Sequence, residues 1–205
     1  MFKTNIFKIY LMYRNFFKDI FDFYLAIILF IFFFPLMVFI YVILNILIGS
    51  PIYTQKRPGY LNKPFIIFKF KTLIDRDCKN FKKDKNTFKF GTFLRKTGID
   101  ELPQLLNILK GEMSFIGPRP LLFEYLKKYS KKEKKRHLVK PGITGLAQVN
   151  PDPSGNKIWK KSIKLDLYYV KEVSFALDID IVLKTIGIIL LKKKQYKDFK
   201  KFYEK

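Results

Sequence analysis

The sequence FYLAIILFIFFFPLMVFIYVILNILI, residues 23–48, contains no charged side chain, and Asn45 is its one clearly polar residue. As a straight helix it would be ~39 Å long at ~1.5 Å per residue, which exceeds the ~30 Å hydrocarbon core of a bilayer. The segment is too long and lies too deep in the chain for a cleaved signal peptide, and no small-residue cleavage site follows it. It therefore predicts a helix that stays in the membrane.

Pro35 divides this apolar segment almost evenly. Proline removes one backbone donor, so the carbonyl of Ile31 loses its usual partner and a kink is expected. Each half, at ~18 Å, is too short to cross a bilayer alone. Two alternatives follow. The helix either spans the membrane with a kink, or it is re-entrant, so that it bends at Pro35 and returns to the face from which it entered.

Both flanks of the segment are basic, and basic flanks prefer the cytoplasmic side of a membrane. The flanking cations are Lys3, Lys8, Arg14 and Lys18 before the segment, and Lys56, Arg57, Lys63, Lys69 and Lys71 after it. A re-entrant helix keeps both flanks on the cytoplasmic side, which favours that geometry. The spanning alternative stays open because the long basic part of the chain after the helix would dominate the orientation.

The composition narrows the classes of function. The 205 residues include 40 Lys and Arg against 17 Asp and Glu, a net charge of +23, which predicts attraction to nucleic acid, anionic lipid or phosphorylated substrates. Cys78 is the single cysteine and His137 the single histidine, so an intramolecular disulfide and the usual Cys/His zinc sites are excluded. His137 lies in the charged stretch KKEKKRHLVKPG and is predicted to be a surface or loop residue rather than a catalytic base.

The rest of the chain reads as short helices and one hairpin. Alternating apolar and polar residues around RPGYLNKP predict a β-hairpin over residues 52–72. Helices are predicted near residues 88–96, 101–110, 121–136, 159–172 and 175–191. The basic tail, residues 192–205, spaces aromatic side chains at helical intervals, so it is expected either on a membrane surface or disordered. The predicted units are residues 1–50, 51–191 and 192–205.

Two adjacent carboxylates stand out in GIDELPQLLNILKG, residues 98–111. As local structure, Asp100 would cap a helix that has a proline in its first turn and Gly111 just past its end. As chemistry, an Asp carboxylate is a competent phosphoryl acceptor, and a helix N-terminus favours phosphate. Arg119, which stands between two prolines in GPRP, suits phosphate oxygens, although the motif alone also fits a plain rigid turn. The spacing leaves both interpretations open.

The motifs FKFKT, FLRKTGIDELPQLLNILKGEMSFIGPRPLLFEY, RHLVKPGITGLAQV and LDLYYVKEVSFALDIDIV together resemble the small monotopic phosphoglycosyl transferases of the bacterial sugar transferase family. The resemblance runs from about Asp22 to Leu191. Members of that family move a sugar-1-phosphate from a UDP-sugar to undecaprenyl phosphate. The resemblance therefore implies that residues 51–191 form a phosphoglycosyl transferase domain.

The resemblance also implies roles for individual residues. Asp100 would be the nucleophile that attacks the β-phosphate of the UDP-sugar, so that UMP leaves and a covalent phosphosugar-Asp intermediate forms. The polyprenyl phosphate would then take the phosphosugar from Asp100. Glu101 would be its dyad partner, and Mg²⁺ would offset the phosphate charge with Asp100 as its protein ligand.

Four further residues match positions of the family near its active site. Arg95 and Arg119 are expected to hold a phosphate of the substrate or of the lipid, and Lys69 and Asp166 are expected nearby. The family's topology favours the re-entrant alternative, with both helix ends on the cytoplasmic face of the bacterial inner membrane. The expected fold is thus α+β and mostly helical, with a small β-hairpin, a re-entrant helix broken at Pro35 and amphipathic interfacial helices, as in a monotopic membrane protein.

The chain departs from the family pattern in two places. Phe34-Pro35 replaces the common Ser-Pro at the helix break, and NPDPSGNKIW, residues 150–159, replaces a segment that often contains an arginine. The second departure predicts altered sugar or nucleotide selectivity. The expected partners are a UDP-sugar, undecaprenyl phosphate and the anionic phospholipid surface. No nucleic-acid recognition motif is present, and the main alternative function is a non-catalytic protein that binds anionic lipid. The residues indicate neither the sugar nor an oligomeric state.

Overall fold

The computed structural model describes residues 12–73, 88–150 and 158–190. The described residues are mostly helical, with two small two-stranded sheets. The predicted tail 192–205, Cys78 and most of the 150–159 segment lie outside them. The helices are α1 (Lys18–Ile48), α2 (Lys89–Thr97), α3 (Leu105–Leu109), α4 (Leu146–Val149), α5 (Ile158–Glu172) and α6 (Phe175–Leu190). The strands are β1 (Ile52–Pro58), β2 (Pro64–Phe70), β3 (Ser114–Ile116) and β4 (Gly142–Thr144).

Helix α1 contains the whole apolar segment. It follows a π-helical turn, Tyr13–Phe17, and ends at Gly49, whose left-handed φ of 66° releases the chain from the helix. Pro35 lies inside α1, and the helix is not interrupted there, so a bend at Pro35 would be a bend within one helix rather than a break between two. By length and composition α1 can cross a membrane, and it is the one such helix in the described part of the chain.

One face of α1 is buried against the rest of the protein along most of its length. The buried positions recur at intervals that keep them on that face: Lys18, Asp22, Ala26, Met37, Ile40 and Leu44. Near the start of the helix, Ala26 joins a core with Phe65 and Ile67 of β2. Further along, the buried positions join a core with Phe70 of β2 and Leu94 of α2. The opposite face is exposed, so the same body of protein supports both halves of α1.

The predicted hairpin is confirmed. Strands β1 and β2 are antiparallel, with a register that runs from Ile52 opposite Phe70 to Pro58 opposite Pro64. The outer edge of β2 is covered by the fully buried Asn107 of α3, whose amide donates to the carbonyl of Ile66 at 2.7 Å and accepts from the N–H of Phe68 at 3.1 Å. This side chain replaces part of a third strand and fixes β2 against α3.

A second sheet, which the sequence patterns did not predict, joins the GPRP and PGITG segments. Strands β3 and β4 are parallel, with Ser114 opposite Gly142 and Ile116 opposite Thr144. The pairing continues beyond the strands, since the N–H of Gly117 donates to the carbonyl of Thr144 at 2.9 Å. Any Cβ at Gly117, Gly142 or Gly145 would collide with backbone atoms of the facing segment, so only glycine permits this close approach.

Two of the helix predictions are wrong in detail. Residues 101–110 divide into a 3-10 turn, Ile99–Gln104, and the short α3, because Pro103 lies within the turn. Residues 121–136 form two separate 3-10 turns, Phe123–Lys127 and Glu133–Leu138. The second turn starts at a capping box, in which Glu133 accepts from the N–H of Ser130 at 2.8 Å and Ser130 accepts from the N–H of Glu133 at 3.3 Å. This start signal interrupts the helix that the overall pattern predicted. The other helices agree with their predictions.

The prediction that His137 is a surface residue is also wrong. Its side chain is buried, with Nδ1 lying 3.3 Å from the carbonyl oxygen of Gly59 in the hairpin turn. Burial and the adjacent charge of Arg136 lower the pKa of His137 to about 4. The ring is therefore neutral at physiological pH and packs the turn of the hairpin against the 3-10 turn Glu133–Leu138.

We expect Asn107→Ala to lower the free energy of unfolding by about 2 kcal/mol, because it leaves the partly buried carbonyl of Ile66 and N–H of Phe68 without their side-chain partner. Thermal unfolding of the detergent-purified protein measures the effect. Thr97→Ala serves as the control, since Thr97 bonds only to carbonyls of its own helix near the surface and its loss should be small. Equal stability of the two variants would contradict the role given to Asn107.

Candidate active site

The two adjacent carboxylates lie in the turn that follows α2. Gly98 ends α2 with a left-handed φ of 75°, and the 3-10 turn Ile99–Gln104 starts directly after it. Gly98 occupies the cap position, and no side chain forms a capping hydrogen bond. The interpretation of Asp100 as a helix cap is therefore wrong, and its burial needs another explanation.

Glu101 is held between two cations from distant parts of the chain. Its Oε1 accepts from Lys69 Nζ of β2 at 2.5 Å and from Arg119 Nη2 at 3.0 Å. Burial alone would raise the pKa of Glu101, but the charges of Arg119 and Lys69 outweigh it and the pKa is lowered. Glu101 is thus an ionised acceptor that fixes the two cations on one oxygen.

Asp100 differs from its neighbour in both environment and pairing. It is 9% exposed, and no Lys or Arg of the described residues lies within ion-pair distance of it. Burial raises its pKa, the charge of Glu101 raises it further, and Lys69 and the exposed Arg95 oppose the shift. Two adjacent carboxylates with opposite pKa shifts are typical of catalytic sites, where the less stabilised group reacts.

The backbone of Arg119 is fixed by a buried ionic cluster. Arg136, 2% exposed, donates from Nη2 to the carbonyl oxygen of Arg119 at 2.8 Å. Its Nε and Nη2 also bind Asp166 Oδ2 of α5 at 3.0 and 2.7 Å, and its Nη1 lies 3.3 Å from the hydroxyl of Tyr129. Because prolines flank Arg119 on both sides, holding this one carbonyl orients the whole GPRP segment.

The structure therefore brings most of the predicted site residues together. Lys69, Glu101 and Arg119 are in direct contact, and Asp100 lies within the electrostatic range of Lys69 and Arg95. Asp166 is connected to this group only through Arg136 and the backbone of Arg119. Its predicted position beside a phosphate stays a prediction, since its carboxylate is buried against Arg136.

Sequence reasoning missed Arg136 as a functional residue. Arg136 lies in the densely basic stretch YLKKYSKKEKKRH, whose lysines are exposed. Nothing in the charge pattern separates the one buried arginine from its exposed neighbours. The available signal was the S-x-x-E start at Ser130, which places Arg136 in the last turn of a new element.

A cavity among the described residues lies away from the two carboxylates. It has a volume of about 400 Å³ and is bordered by Arg14, Lys18, Asp19, Tyr60 and Lys140, among others. Its cations are already engaged, Lys18 with Asp178, Lys140 with Asp19 and Arg14 with a backbone carbonyl. Its charges are therefore largely compensated, and the carboxylate pair is the stronger candidate active site.

The described residues contain one membrane-length helix and two adjacent carboxylates, of which Glu101 is paired with two cations and Asp100 is buried beside it, a set suited to phosphoryl chemistry. The family model described as bacterial sugar transferase matches residues 13–192, and the chain belongs to this family. The resemblance noted in the sequence is thereby confirmed.

Curated relatives agree with this assignment. The chain is 45% identical over 179 residues to the uncharacterized sugar transferase EpsL of Bacillus subtilis, covering 85% of this chain and 87% of EpsL. It is 38% identical to UDP-glucose:undecaprenyl-phosphate glucose-1-phosphate transferase of Xanthomonas campestris, over 72% of this chain and 33% of that protein. It is 37% identical to UDP-N-acetylgalactosamine-undecaprenyl-phosphate N-acetylgalactosaminephosphotransferase of Aeromonas hydrophila, over 69% of this chain and 36% of that protein. The chain thus spans most of EpsL and about a third of the other two.

We expect Asp100→Asn to raise the melting temperature at neutral pH by about 2–4 °C, the shift that ~1 kcal/mol produces in a protein of this size. The folded-state pKa of Asp100 is raised, so its ionised form opposes folding above that pKa and the neutral amide removes the opposition. The gain should shrink as the pH falls through the folded-state pKa, where wild-type Asp100 is protonated. Thermal unfolding as a function of pH measures this.

The matched variant is Glu101→Gln, for which the sign is reversed. The pKa of Glu101 is lowered in the folded state, so its charge stabilises the protein above the unfolded-state pKa and that stability is lost as the pH falls through the folded-state pKa. Glu101→Gln should therefore lower the melting temperature at neutral pH. If both variants shifted the melting temperature in the same direction, the opposite pKa shifts of Asp100 and Glu101 would be contradicted.

Proposed function

We propose that this protein transfers a sugar-1-phosphate from a UDP-sugar to undecaprenyl phosphate, through a covalent phosphosugar on Asp100 and with release of UMP. The observation that carries the proposal is the pairing of a buried Asp100, with which no Lys or Arg of the described residues forms an ion pair, with a Glu101 that Lys69 and Arg119 hold. The names of the relatives from Xanthomonas and Aeromonas, which are UDP-sugar and undecaprenyl-phosphate transferases, support the same reaction.

The transfer takes place in two displacements at one phosphorus. A carboxylate oxygen of Asp100 attacks the β-phosphorus of the UDP-sugar, the bond from that phosphorus to the bridging oxygen breaks, and UMP leaves with the electron pair. An oxygen of the lipid phosphate then attacks the same phosphorus, the bond to Asp100 breaks, and the free carboxylate returns with a diphosphate-linked sugar as product. Division of a difficult transfer into two steps at one nucleophile is covalent catalysis.

The surrounding charges have defined tasks in this reaction. Two substrates with phosphate groups bring several negative charges to Asp100, and Lys69, Arg95 and Arg119 offset them. Glu101 is ionised and accepts hydrogen bonds from Lys69 and Arg119, so it orients these cations rather than donating a proton. The cluster of Arg136 and Asp166 keeps the backbone of Arg119 in place while substrates change.

A magnesium ion fits the oxygen donors of this site. Mg²⁺ is usually held by one or two carboxylates, with waters and substrate phosphates supplying the other ligands. Asp100 is a carboxylate that no Lys or Arg of the described residues binds directly, and these residues contain no group of three or more His, Cys, Asp and Glu that could form a protein-only site. We propose that Asp100 holds Mg²⁺, which when bound would neutralise phosphate charge.

We further propose that α1 is re-entrant and that the active site faces the cytoplasm at the bacterial inner membrane. The packing of α1 supports this, because both its halves contact one body of protein that also carries the charged site. A helix that crossed the bilayer would carry one of its ends to the opposite face. The exposed lysines of the stretch 131–135 would then contact anionic headgroups.

The reaction is tested by UMP release from UDP-glucose, UDP-galactose and UDP-N-acetylgalactosamine with the detergent-purified protein. We expect release that depends on Mg²⁺ and turns over only with undecaprenyl phosphate. Asp100→Asn should lose activity by at least about 10³-fold, because removal of a nucleophile leaves no route through the intermediate. The substituted segment 150–159 predicts that the preferred sugar differs from that of relatives.

The control for this test is Lys96→Gln, which removes an exposed cation next to Arg95 and should keep activity. Stoichiometric UMP release in the absence of lipid, retained as a protein-bound phosphosugar by mass spectrometry, identifies the intermediate. Full activity of a folded Asp100→Asn protein would sink the mechanism. Inactivity of the folded, lipid-bound wild type across the panel would favour a non-catalytic protein that binds anionic lipid.

The topology is tested with an impermeant maleimide on membrane vesicles of both orientations. In a Cys78→Ser background, cysteines replace Phe16 before α1, Ser50 after it and Phe32 in its exposed middle. We expect Phe16→Cys and Ser50→Cys to react from the cytoplasmic face and Phe32→Cys to be protected by lipid. Reaction of the two end positions from opposite faces would show that α1 spans the membrane.

A further inference from the structure

The register of the β1–β2 hairpin places a second basic side chain on the same face as Lys69. Tyr53 lies opposite Lys69 and Arg57 lies opposite Phe65. Residues directly opposite in an antiparallel pair point to one face, and residues two apart on a strand share that face. Arg57 and Lys69 therefore point the same way, with backbones ~13 Å apart along the strand. The face is that on which Lys69 meets Glu101.

The hydrogen-bond donors of the Arg57 side chain are only partly paired in this position. Its Nη2 donates to Gln55 Oε1 at 2.5 Å, but its Nε is buried and has no hydrogen-bond partner among the described residues. No carboxylate of the described residues forms an ion pair with it. A buried donor without a partner is costly, and in a native structure it calls for an explanation such as a ligand.

Arg119 lies within electrostatic range of Arg57. Burial lowers the pKa of Arg57, Tyr53 opposes this shift, and the positive charge of Arg119 lowers the pKa further. The small cavity beside Arg119 is also bordered by Pro58, the residue after Arg57. Neighbouring guanidinium groups repel each other unless an anion lies between them.

The charges of the site leave room for such an anion. Of the three cations Arg57, Lys69 and Arg119, the last two form ion pairs among the described residues, and both pair with the same carboxylate, Glu101. The cations therefore outnumber the paired carboxylate by two. A guanidinium has a planar fork of N–H donors that matches phosphate oxygens, and the three phosphates of the two substrates are the anions that the proposed reaction brings to this site.

We propose that Arg57 is a phosphate-binding residue of this site, with its Nε–H donating to a phosphate oxygen next to Arg119. The inference rests on the proposed function, in which both substrates carry phosphate. The phosphate belongs either to the diphosphate of the UDP-sugar or to the polyprenyl phosphate. The chemistry of recognition is the same in the two cases.

The test compares three variants. Arg57→Gln removes the positive charge and the guanidinium N–H donors, whereas Arg57→Lys keeps the charge but loses the Nε–H. Lys56→Gln is the matched control, because Lys56 is exposed, lies opposite Ile66 and points to the other face of the same strand. The measured quantities are KM for the UDP-sugar, KM for undecaprenyl phosphate, and the dissociation constants of UMP and inorganic pyrophosphate, with thermal unfolding as the check on folding.

We expect Arg57→Gln to raise one of the two KM values about 10-fold, the loss of one charge-assisted hydrogen bond, with kcat nearly unchanged. Arg57→Lys should lie between wild type and Arg57→Gln, and Lys56→Gln should match wild type. A rise in the UDP-sugar KM together with weaker UMP or pyrophosphate binding assigns the donor diphosphate. A rise confined to the lipid KM assigns the acceptor phosphate.

If folded Arg57→Gln keeps the KM values and dissociation constants of the wild type, with or without a lower melting temperature, the proposal is overturned. Arg57 would then only hold Gln55 in place. If Arg57→Gln does not fold, unchanged constants in Arg57→Lys overturn it equally. The pyrophosphate titration needs no turnover, so weaker pyrophosphate binding by Arg57→Gln would support phosphate binding by Arg57 even in a protein that releases no UMP. If the wild type releases UMP and the Arg57 variants have unchanged constants, the inference about Arg57 is refuted and the proposed function is not.

Discussion

The ion pair between Lys18 and Asp178 fixes the first turn of α1 against the last helix of the described chain. The two charged atoms are 2.7 Å apart, and both side chains are at least nine-tenths buried. A buried pair is tolerated only when its remaining lone pairs are satisfied, and the hydroxyls of Tyr13 and Tyr169 supply the additional donors to Asp178. Removal of Asp178 would leave Lys18 as a buried, poorly compensated charge in the segment that leads into the apolar helix.

The same pattern recurs at the active site, where buried polar groups position segments that come from distant parts of the chain. The hydrogen bonds of Asn107 fix the position of β2 and thereby of Lys69, and a hydrogen bond from Arg136 fixes the backbone of Arg119. Tyr169 also lies 3.0 Å from the carbonyl oxygen of Ile116, immediately before the GPRP segment. The cations that meet at Glu101 are thus located by their ion pairs with Glu101 and by hydrogen bonds that fix the backbone segments carrying them.

The elements that were predicted correctly are those in which apolar residues recur at a regular spacing over many residues. Helix α1, the hairpin and helices α2, α5 and α6 repeat their apolar positions over enough residues to identify them. Strands β3 and β4 have three residues each, too few for a pattern, and they are held by glycine contacts that become visible only when both segments are adjacent. The 121–136 prediction was wrong because a capping box at Ser130 outweighed the average helical tendency.

The residues of the candidate site could be predicted from the sequence only where they match motifs of the bacterial sugar transferase family. Motif matches identified Asp100, Glu101, Lys69 and Arg119, three of which are in direct contact in the structure. The burial of Arg136 and His137 was not predictable, because one charged stretch contains both exposed and buried side chains and only tertiary packing separates them. The unpaired Nε of Arg57 likewise depends on the hairpin register and on the neighbouring arginine, neither of which is a property of the sequence around it.

The packing of the reactive turn connects the chemistry to the apolar helix. Leu102, two residues after Asp100, packs against both apolar cores that bury α1, and Ile99 packs against the second of them. The carboxylate pair therefore lies in a turn whose apolar side chains rest on α1, while its polar side chains face the cations of β2 and GPRP. A lipid-borne phosphate enters a protein from the side of its hydrocarbon chain, and a water-soluble nucleotide enters from the opposite side. In the proposed reaction, a turn that divides its side chains between an apolar helix and a cationic cluster would present Asp100 to both substrates.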